Sequence, residues 1–323
     1  MSALVIGTRG SDLAMWQAEF IRAALTEAHP DLEIRLNVIH TTGDRILQTP
    51  LHRMADKGLF TKEIERALLD GSADLAVHSL KDLPTELPDG LSLGAVGARE
   101  DPADVLVGRD GPPPAVEELP HGASILSGSL RRRAQLLHRR PDLNVLEIRG
   151  NVQTRIRKLQ QSDAAATVLA RAGLVRLGLE RHIGRRLDPS QFVPACGQGA
   201  LAVETRDDDR RLRELLGVVD HPETRRAVAA ERAFLSDLGG GCQVPVGAYA
   251  RPDEDETHLV VTGVVASLDG SHLLQETLRG ATDDVDAVDA LGRSLADTLR
   301  RRGAGEILAE VVAQSSSESE NKP

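Results

Sequence analysis

Apolar positions along the chain fall into short continuous runs separated by stretches with helical spacing. Leu4 to Gly7 reads as a short buried strand. It leads through Thr8-Arg9-Gly10-Ser11 into a segment where Leu13, Trp16, Phe20, Ala24 and Ala28 recur at the helical period before Pro30. Leu32, Ile34, Leu36 and Val38 then alternate, as a strand does when one face is buried. A helix is predicted around Thr61 to Leu69, followed by a turn at Asp70-Gly71 and the apolar strand Leu75 to Val77. This strand, helix, strand alternation predicts an α/β layer architecture with a mainly parallel sheet.

The Pro- and Gly-rich stretch from Arg109 to Pro120 marks a loop, after which the pattern repeats. Ile125-Leu126 precedes Ser127-Gly128-Ser129 and a helix to Arg140; Val145 to Ile148 is a strand, Val152 to Gln160 a helix and Thr167 to Leu169 a strand. Two similar α/β lobes with a cleft between them follow from the repetition. A third unit begins near Pro222, a favourable first helical residue, with Ala227, Ala230, Phe234 and Leu238 on one face and Gly239-Gly240-Gly241 at its end. Strands near Leu259 to Val265 and Leu273 to Leu278, and a helix from about Asp284 to Arg302, complete a small α/β domain. The polar tail 314–323 reads as disordered.

Composition narrows the class. A chain of 323 residues is long enough for two or three domains, and 41% hydrophobic with 27% charged residues is a globular balance. No apolar run approaches the roughly 20 residues of a membrane span, and the first residues lack the basic segment of a signal peptide. The expectation is a cytoplasmic protein. Two cysteines argue against a disulfide framework, the ten histidines show no ligand-spaced cluster, so no metal is expected, and neither GxGxxG nor a P-loop occurs.

Charge changes the picture more. The net charge is −10, yet 127–186 holds 14 Lys or Arg against four acids. Such a segment either receives an anion or is a solvated basic face. With 2% aromatic residues in the chain and none in this segment to stack on bases, nucleic acid is not an expected partner; a compact polycarboxylate or phosphate fits better. Thr8-Arg9-Gly10-Ser11 and Ser127-Gly128-Ser129 each lie between a strand and a helix start, where amides and hydroxyls can hold an anion or simply cap the helix. His78-Ser79-Leu80-Lys81-Asp82-Leu83-Pro84 follows the strand Leu75 to Val77. Asp82 is either a surface turn residue or a carboxylate placed to stabilise a cation and relay protons. Cys242, after three glycines, is a candidate reactive thiol, with a buried hydrophobe as the alternative; Cys196 is read as the latter.

Eight segments in order resemble the porphobilinogen deaminases. They are Thr8-Arg9-Gly10-Ser11 with Leu13-Ala14 and Trp16-Gln17; Lys57-Gly58-Leu59-Phe60; Val77 to Pro84; Ser129-Leu130-Arg131-Arg132; Arg149-Gly150-Asn151-Val152-Gln153-Thr154-Arg155; Ala172-Gly173-Leu174; Gly197-Gln198-Gly199-Ala200; and Gly240-Gly241-Cys242-Gln243-Val244-Pro245. The resemblance implies two lobes like those of periplasmic binding proteins, around a central cleft, and a small C-terminal α/β domain. Domain 1 would be 1–98 with a return segment 198–217, domain 2 would be 102–195 and domain 3 would be 220–313. It implies a dipyrromethane cofactor joined by a thioether to Cys242, onto which four porphobilinogens are deaminated and added head to tail before 1-hydroxymethylbilane is released by hydrolysis. Asp82 would stabilise the azafulvene cation. Lys81, Ser129, Arg131 and Arg132 would hold the cofactor, and Arg9, Ser11, Arg149, Arg155 and Arg176 the substrate carboxylates. The segment 46–60 would be a loop over the cleft, and the enzyme a monomer. Ser127-Gly128, Gly10 and Asp12 depart from the family pattern. Two other readings compete: a non-catalytic anion-binding two-lobe module, and a thiol-dependent hydrolase, for which no histidine sits in a nucleophile-activating motif.

Overall fold

The structure is a computed structural model that describes residues 3–45, 61–239, 244–254, 257–282 and 284–320. In chain order the first elements are β1 (Leu4–Thr8), α1 (Asp12–Ala28), β2 (Ile34–Val38), α2 (Thr42–Arg45), α3 (Lys62–Leu69), β3 (Leu75–Ser79) and β4 (Leu91–Val96). Next come β5 (Asp104–Gly108), β6 (Ser124–Leu126), α4 (Leu130–Arg139), β7 (Asn144–Leu146), α5 (Val152–Gln160), β8 (Ala166–Ala170), α6 (Arg171–Arg176) and β9 (Arg185–Arg186). The chain continues through β10 (Leu201–Arg206), α7 (Arg210–Leu216), α8 (Pro222–Asp237), β11 (Val246–Pro252), β12 (His258–Ala266), β13 (Leu273–Ala281), α9 (Val285–Leu299) and α10 (Gly305–Glu320).

Two compact units emerge. The first takes in described residues of 3–45, 61–101 and 197–225. Its five-stranded sheet has the order β2-β1-β3-β10-β4, with β1 parallel to β2 and β3, and β10 antiparallel to both neighbours. Helices α1 and α7 cover one face through Ala18, Ile21, Leu25, Leu212 and Leu216, and α3 covers the other through Ile64, Ala67 and Leu68. The expected face of α1 is rotated. Ala14, Gln17, Ala18, Ile21 and Leu25 are buried, whereas Phe20 is 48% exposed and stacks on Trp16 at 5.3 Å along the helix flank. Small residues let the helix axis approach the sheet, so bulk did not mark the inward side.

The second unit contains 102–196 and the described part of 226–320. Its first sheet, β7-β6-β8-β5-β9, mirrors the first unit: parallel pairs β6/β7 and β6/β8, then an antiparallel strand, here β5. Both sheets are therefore mixed, correcting the mainly parallel expectation. The antiparallel strands β5 and β10 contain apolar runs like their parallel neighbours, and periodicity carries no information on direction. Strands β4, β5, β9 and β11 were not foreseen, and the strand expected to reach Ile148 ends at Leu146. The third sheet, β11-β12-β13, is an antiparallel meander whose core joins Ala227, Ala230 and Phe234 of α8 to Leu295 and Leu299 of α9, with Cys196 among them.

The C-terminal tail differs from expectation. Residues 314–320 continue α10 because no Gly or Pro interrupts its backbone ladder, although their polar composition pointed to disorder. The 46–60 loop and Cys242 lie outside the described residues.

Candidate active site

In the first unit, the turns leaving β1 and β3 meet at the C-terminal edge of the two parallel strands, where such sheets place ligands. Ser11 caps α1, its Oγ accepting from the Ala14 amide at 3.3 Å, and Thr8 Oγ1 donates to the Ala14 carbonyl at 3.1 Å. Gln17, buried in the next turn, donates through Nε2 to Ser79 Oγ at 2.7 Å and so ties α1 to the end of β3. Beyond Ser79 the chain makes a single helical turn, Leu80–Asp82, anchored by the Leu80 amide on the Ala200 carbonyl at 3.1 Å. Asp82 is exposed at the end of this turn and Lys81 is half-buried beside it. Arg9, Ser11, Gln17, Thr61, His78, Ser79 and Asp82 line one cavity. Three of the expected residues, Arg9, Ser11 and Asp82, thus come together from segments about 70 positions apart.

In the second unit, Ser129 caps α4, accepting from the Arg132 amide at 3.4 Å. The next two arginines turn inward. Arg131 is 4% exposed and pairs with Asp104 Oδ2 at 2.9 Å; Arg132, 5% exposed, reaches Asp104 Oδ1 at 2.7 Å. Arg131 also donates to the Val193 carbonyl at 2.7 Å and Arg132 to the Val168 carbonyl at 3.0 Å. Burial pushes the Arg131 guanidinium downward, against the opposing pull of Asp104. One carboxylate for two guanidiniums leaves a buried excess of positive charge, and Arg132 Nε is buried with no hydrogen-bond partner among the described residues. A carboxylate-rich group such as a dipyrromethane fits that excess: it would supply the missing counter-charge and an acceptor.

The adjoining loop carries Arg149 and leads into α5, capped by Asn151 Oδ1 on the Thr154 amide at 2.9 Å. Arg155 Nε donates to the Gly150 carbonyl at 2.8 Å and Lys158 to the Arg149 carbonyl at 3.0 Å, fixing the loop. Arg149 is half-buried and desolvation lowers its pKa, a penalty that a bound carboxylate would relieve. Gly128 sits where a Cβ would lie 2.5 Å from the Ile148 carbonyl, so glycine there permits the close approach of the two loops. Arg176, in the last turn of α6, is buried. A larger cavity of about 480 Å³ runs from Ser127–Leu130 to the 267–272 turn and α10. Glu147, Asp269 and Glu310 outnumber its one lining arginine, Arg133, so it suits a polyanion poorly.

Asp104, Glu204 and Glu65 were missed as site-building residues. Asp104 lies in the apolar run Ala103 to Val107 and Glu204 directly follows the apolar run Leu201 to Val203, and that placement was the available signal.

The chain matches the family model described as porphobilinogen deaminase, dipyromethane cofactor binding domain, over residues 4–214, and the C-terminal domain of the same enzyme over 225–301. It is 51% identical over 315 residues to the porphobilinogen deaminase of Moorella thermoacetica, covering 98% of each chain. It is 52% identical over 310 residues to that of Desulforudis audaxviator, covering 96% of this chain and 98% of the relative. A methionine-bound nutrient binding protein from Burkholderia cenocepacia aligns with 69% of this chain and 93% of its own at 12% identity and a TM-score of 0.43, too distant to bear on the site. Relatives this similar over nearly the whole length do not favour the reading as a non-catalytic module. The chain belongs to the porphobilinogen deaminase family, transferases of tetrapyrrole biosynthesis that deaminate porphobilinogen and join four of its rings in line.

Proposed function

We propose that the reaction runs at the cavity holding Asp82, and that Asp82 is its catalytic carboxylate. The observation that carries this reading is the convergence of Asp82, Arg9 and Ser11 on one cavity wall. When the substrate C–N bond breaks, its electron pair leaves with ammonia and a cation remains delocalised over the substrate ring. The Asp82 carboxylate stabilises that cation, while Arg9 and Ser11 hold substrate carboxylates and keep the ring in place. Two unit charges about 4 Å apart gain roughly 1 kcal/mol in water but about 4 kcal/mol at an effective dielectric of 20. Asp82 is exposed in the structure, so substrate must exclude water before the carboxylate acts at full strength.

The dipyrromethane, when bound, supplies the free pyrrole carbon that receives each new ring. In this reading Cys242 carries it by a thioether, and Lys81, Ser129, Arg131 and Arg132 hold its acetates and propionates. Arg149, Arg155 and Arg176 take the carboxylates of the lengthening chain. The reading extends to a cytoplasmic monomer that binds no nucleic acid, divided into 1–98 with 198–217, 102–195 and 220–313. Among the described residues no helix is long and apolar enough to cross a membrane.

Asp82→Asn tests the central role, since it keeps the shape and removes the charge. Single-turnover kinetics on holoenzyme, following ammonia release and ring addition separately, should show a loss of at least about a hundredfold, or roughly 2.7 kcal/mol. Substrate affinity should survive. Both rates within a few-fold of wild type would make Asp82 a turn residue only.

A further inference from the structure

The sheet face beneath α3 carries a polar group inside an apolar layer. Alternation along β3 puts Ala76 and His78 on this face, where Ala76 packs with Ile64, Ala67 and Leu68. Across the ladder, Ala202 stands opposite His78 and Glu204 opposite Ala76, so His78 and Glu204 are diagonal neighbours. His78 Nε2 lies 3.0 Å from Glu204 Oε2, with His78 7% exposed and Glu204 fully buried. The β10/β4 register slips between Val203 and Glu204, a bulge of the kind that re-aims side chains beside functional sites. Glu204 Oε1 is buried without a hydrogen-bond partner among the described residues. From α3, Glu65 adds a second buried carboxyl, raised chiefly by burial and further by Glu204, against a lowering hydrogen bond from Thr61.

Two buried carboxyl groups and an imidazole are poor packing material. Apolar side chains of similar volume would serve stability as well or better. The group also reaches the cavity, because His78 and Thr61 line it together with Asp82. The charged and titratable groups around the imidazole are Glu204 from β10, Glu65 and Lys62 from α3, and Arg9 and Asp82 in the cavity wall.

Each ring addition has a proton to move. The attacked pyrrole carbon loses its C–H bond, the electron pair returns to the ring and the proton departs; ammonia, leaving with the pair of the broken C–N bond, becomes ammonium. We propose that His78, braced by Glu204, is a proton-transfer group of the Asp82 cavity. It accepts the carbon proton at the ring nitrogen not bonded to Glu204 and returns it to ammonia or solvent, while Glu65 and Thr61 keep the buried charge of the pair balanced. Glu204 orients the ring, as carboxylates behind catalytic imidazoles do. This role rests on the reading that chemistry occurs at the Asp82 cavity.

His78→Gln and Glu204→Gln, purified as holoenzyme and checked for cofactor content by intact mass, test it beside Asp82→Asn. His78→Gln should hold its cofactor and keep KM within about threefold, lose at least about tenfold in kcat, and lose one limb of the kcat–pH profile between about pH 5 and 9. Glu204→Gln should keep that limb but displace it, because the carboxylate 3.0 Å from the imidazole has been replaced by a neutral amide. A His78→Gln enzyme with kcat within about twofold of wild type, or with lower kcat and an unaltered pH profile, overturns the proposal. Should His78→Gln fail to fold, the Glu204→Gln profile decides: a displaced limb supports the role and an unmoved one overturns it. An impaired Asp82→Asn beside an unaffected His78→Gln removes only the His78 role; an unaffected Asp82→Asn removes the cavity reading itself.

Discussion

Asp104 shows how one buried carboxylate can set a site it need not touch. It is fully buried and its two oxygens divide between Arg131 and Arg132, so both guanidiniums owe their placement to it. Asp104→Ala should cost about 3–5 kcal/mol, read by urea unfolding, since it strands two buried cations. Arg149 is the opposite case. It is half-buried on a loop, so Arg149→Leu should unfold within about 1 kcal/mol of wild type while weakening ligand capture. Glu65 gives a pH signature. Its folded pKa lies above the usual 4.5 through burial, so the group favours folding fully below that value, and the contribution is lost as pH rises through the raised value. Glu65→Gln should therefore match wild type in stability near pH 4 and exceed it at pH 7, and equal stabilities at both pH values would contradict the burial argument.

The single turn Leu80–Asp82 is the element on which the proposed chemistry depends, and the return segment before β10 holds it. Leu80 hydrogen-bonds Ala200, and Gly199 has φ +93° with its missing Cβ only 2.2 Å from the Glu100 carbonyl. Gly199→Ala should then displace the segment and lower kcat along with stability. Gly71→Ala is the control: φ is +79° but space is open, so it should cost about 1 kcal/mol and leave kcat unchanged. Elements with local signals were legible in the sequence. At Ser11 and Ser129, where the sequence offered a helix cap or an anion site, each side chain caps its helix, and Asn151, not singled out in the sequence, caps α5 in the same way. Strand β10 was not foreseen, because its partners β3 and β4 lie more than 100 residues away and no local pattern encodes a distant pairing. The inward face of α1 was misread for a related reason: Ala14 and Ala18 face the sheet because of what packs there, not because of their own hydrophobicity.

At the scale of the whole molecule, a net charge of −10 coexists with a segment of +10 whose arginines are not equivalent. Arg131 and Arg132 are committed to Asp104, whereas Arg149 is desolvated on a loop. The sequence named these arginines as candidates but not which of them share a buried partner, since that partner, Asp104, comes from β5. If Arg149 and Arg155 serve successive rings, replacing either with Leu should yield folded enzyme that accumulates particular intermediate lengths; uniform slowing of every step would argue against distinct roles. The central claim, a deaminase primed by a pyrrole chain on Cys242, meets its most direct test in intact-mass measurement before and after brief incubation with porphobilinogen. The expected masses are a polypeptide carrying two linked pyrrole units, then discrete additions of one ring at a time, with the adduct absent from Cys242→Ala and retained in Cys196→Ala. Fully active wild-type protein of unmodified mass, or an adduct that survives in Cys242→Ala, would contradict it.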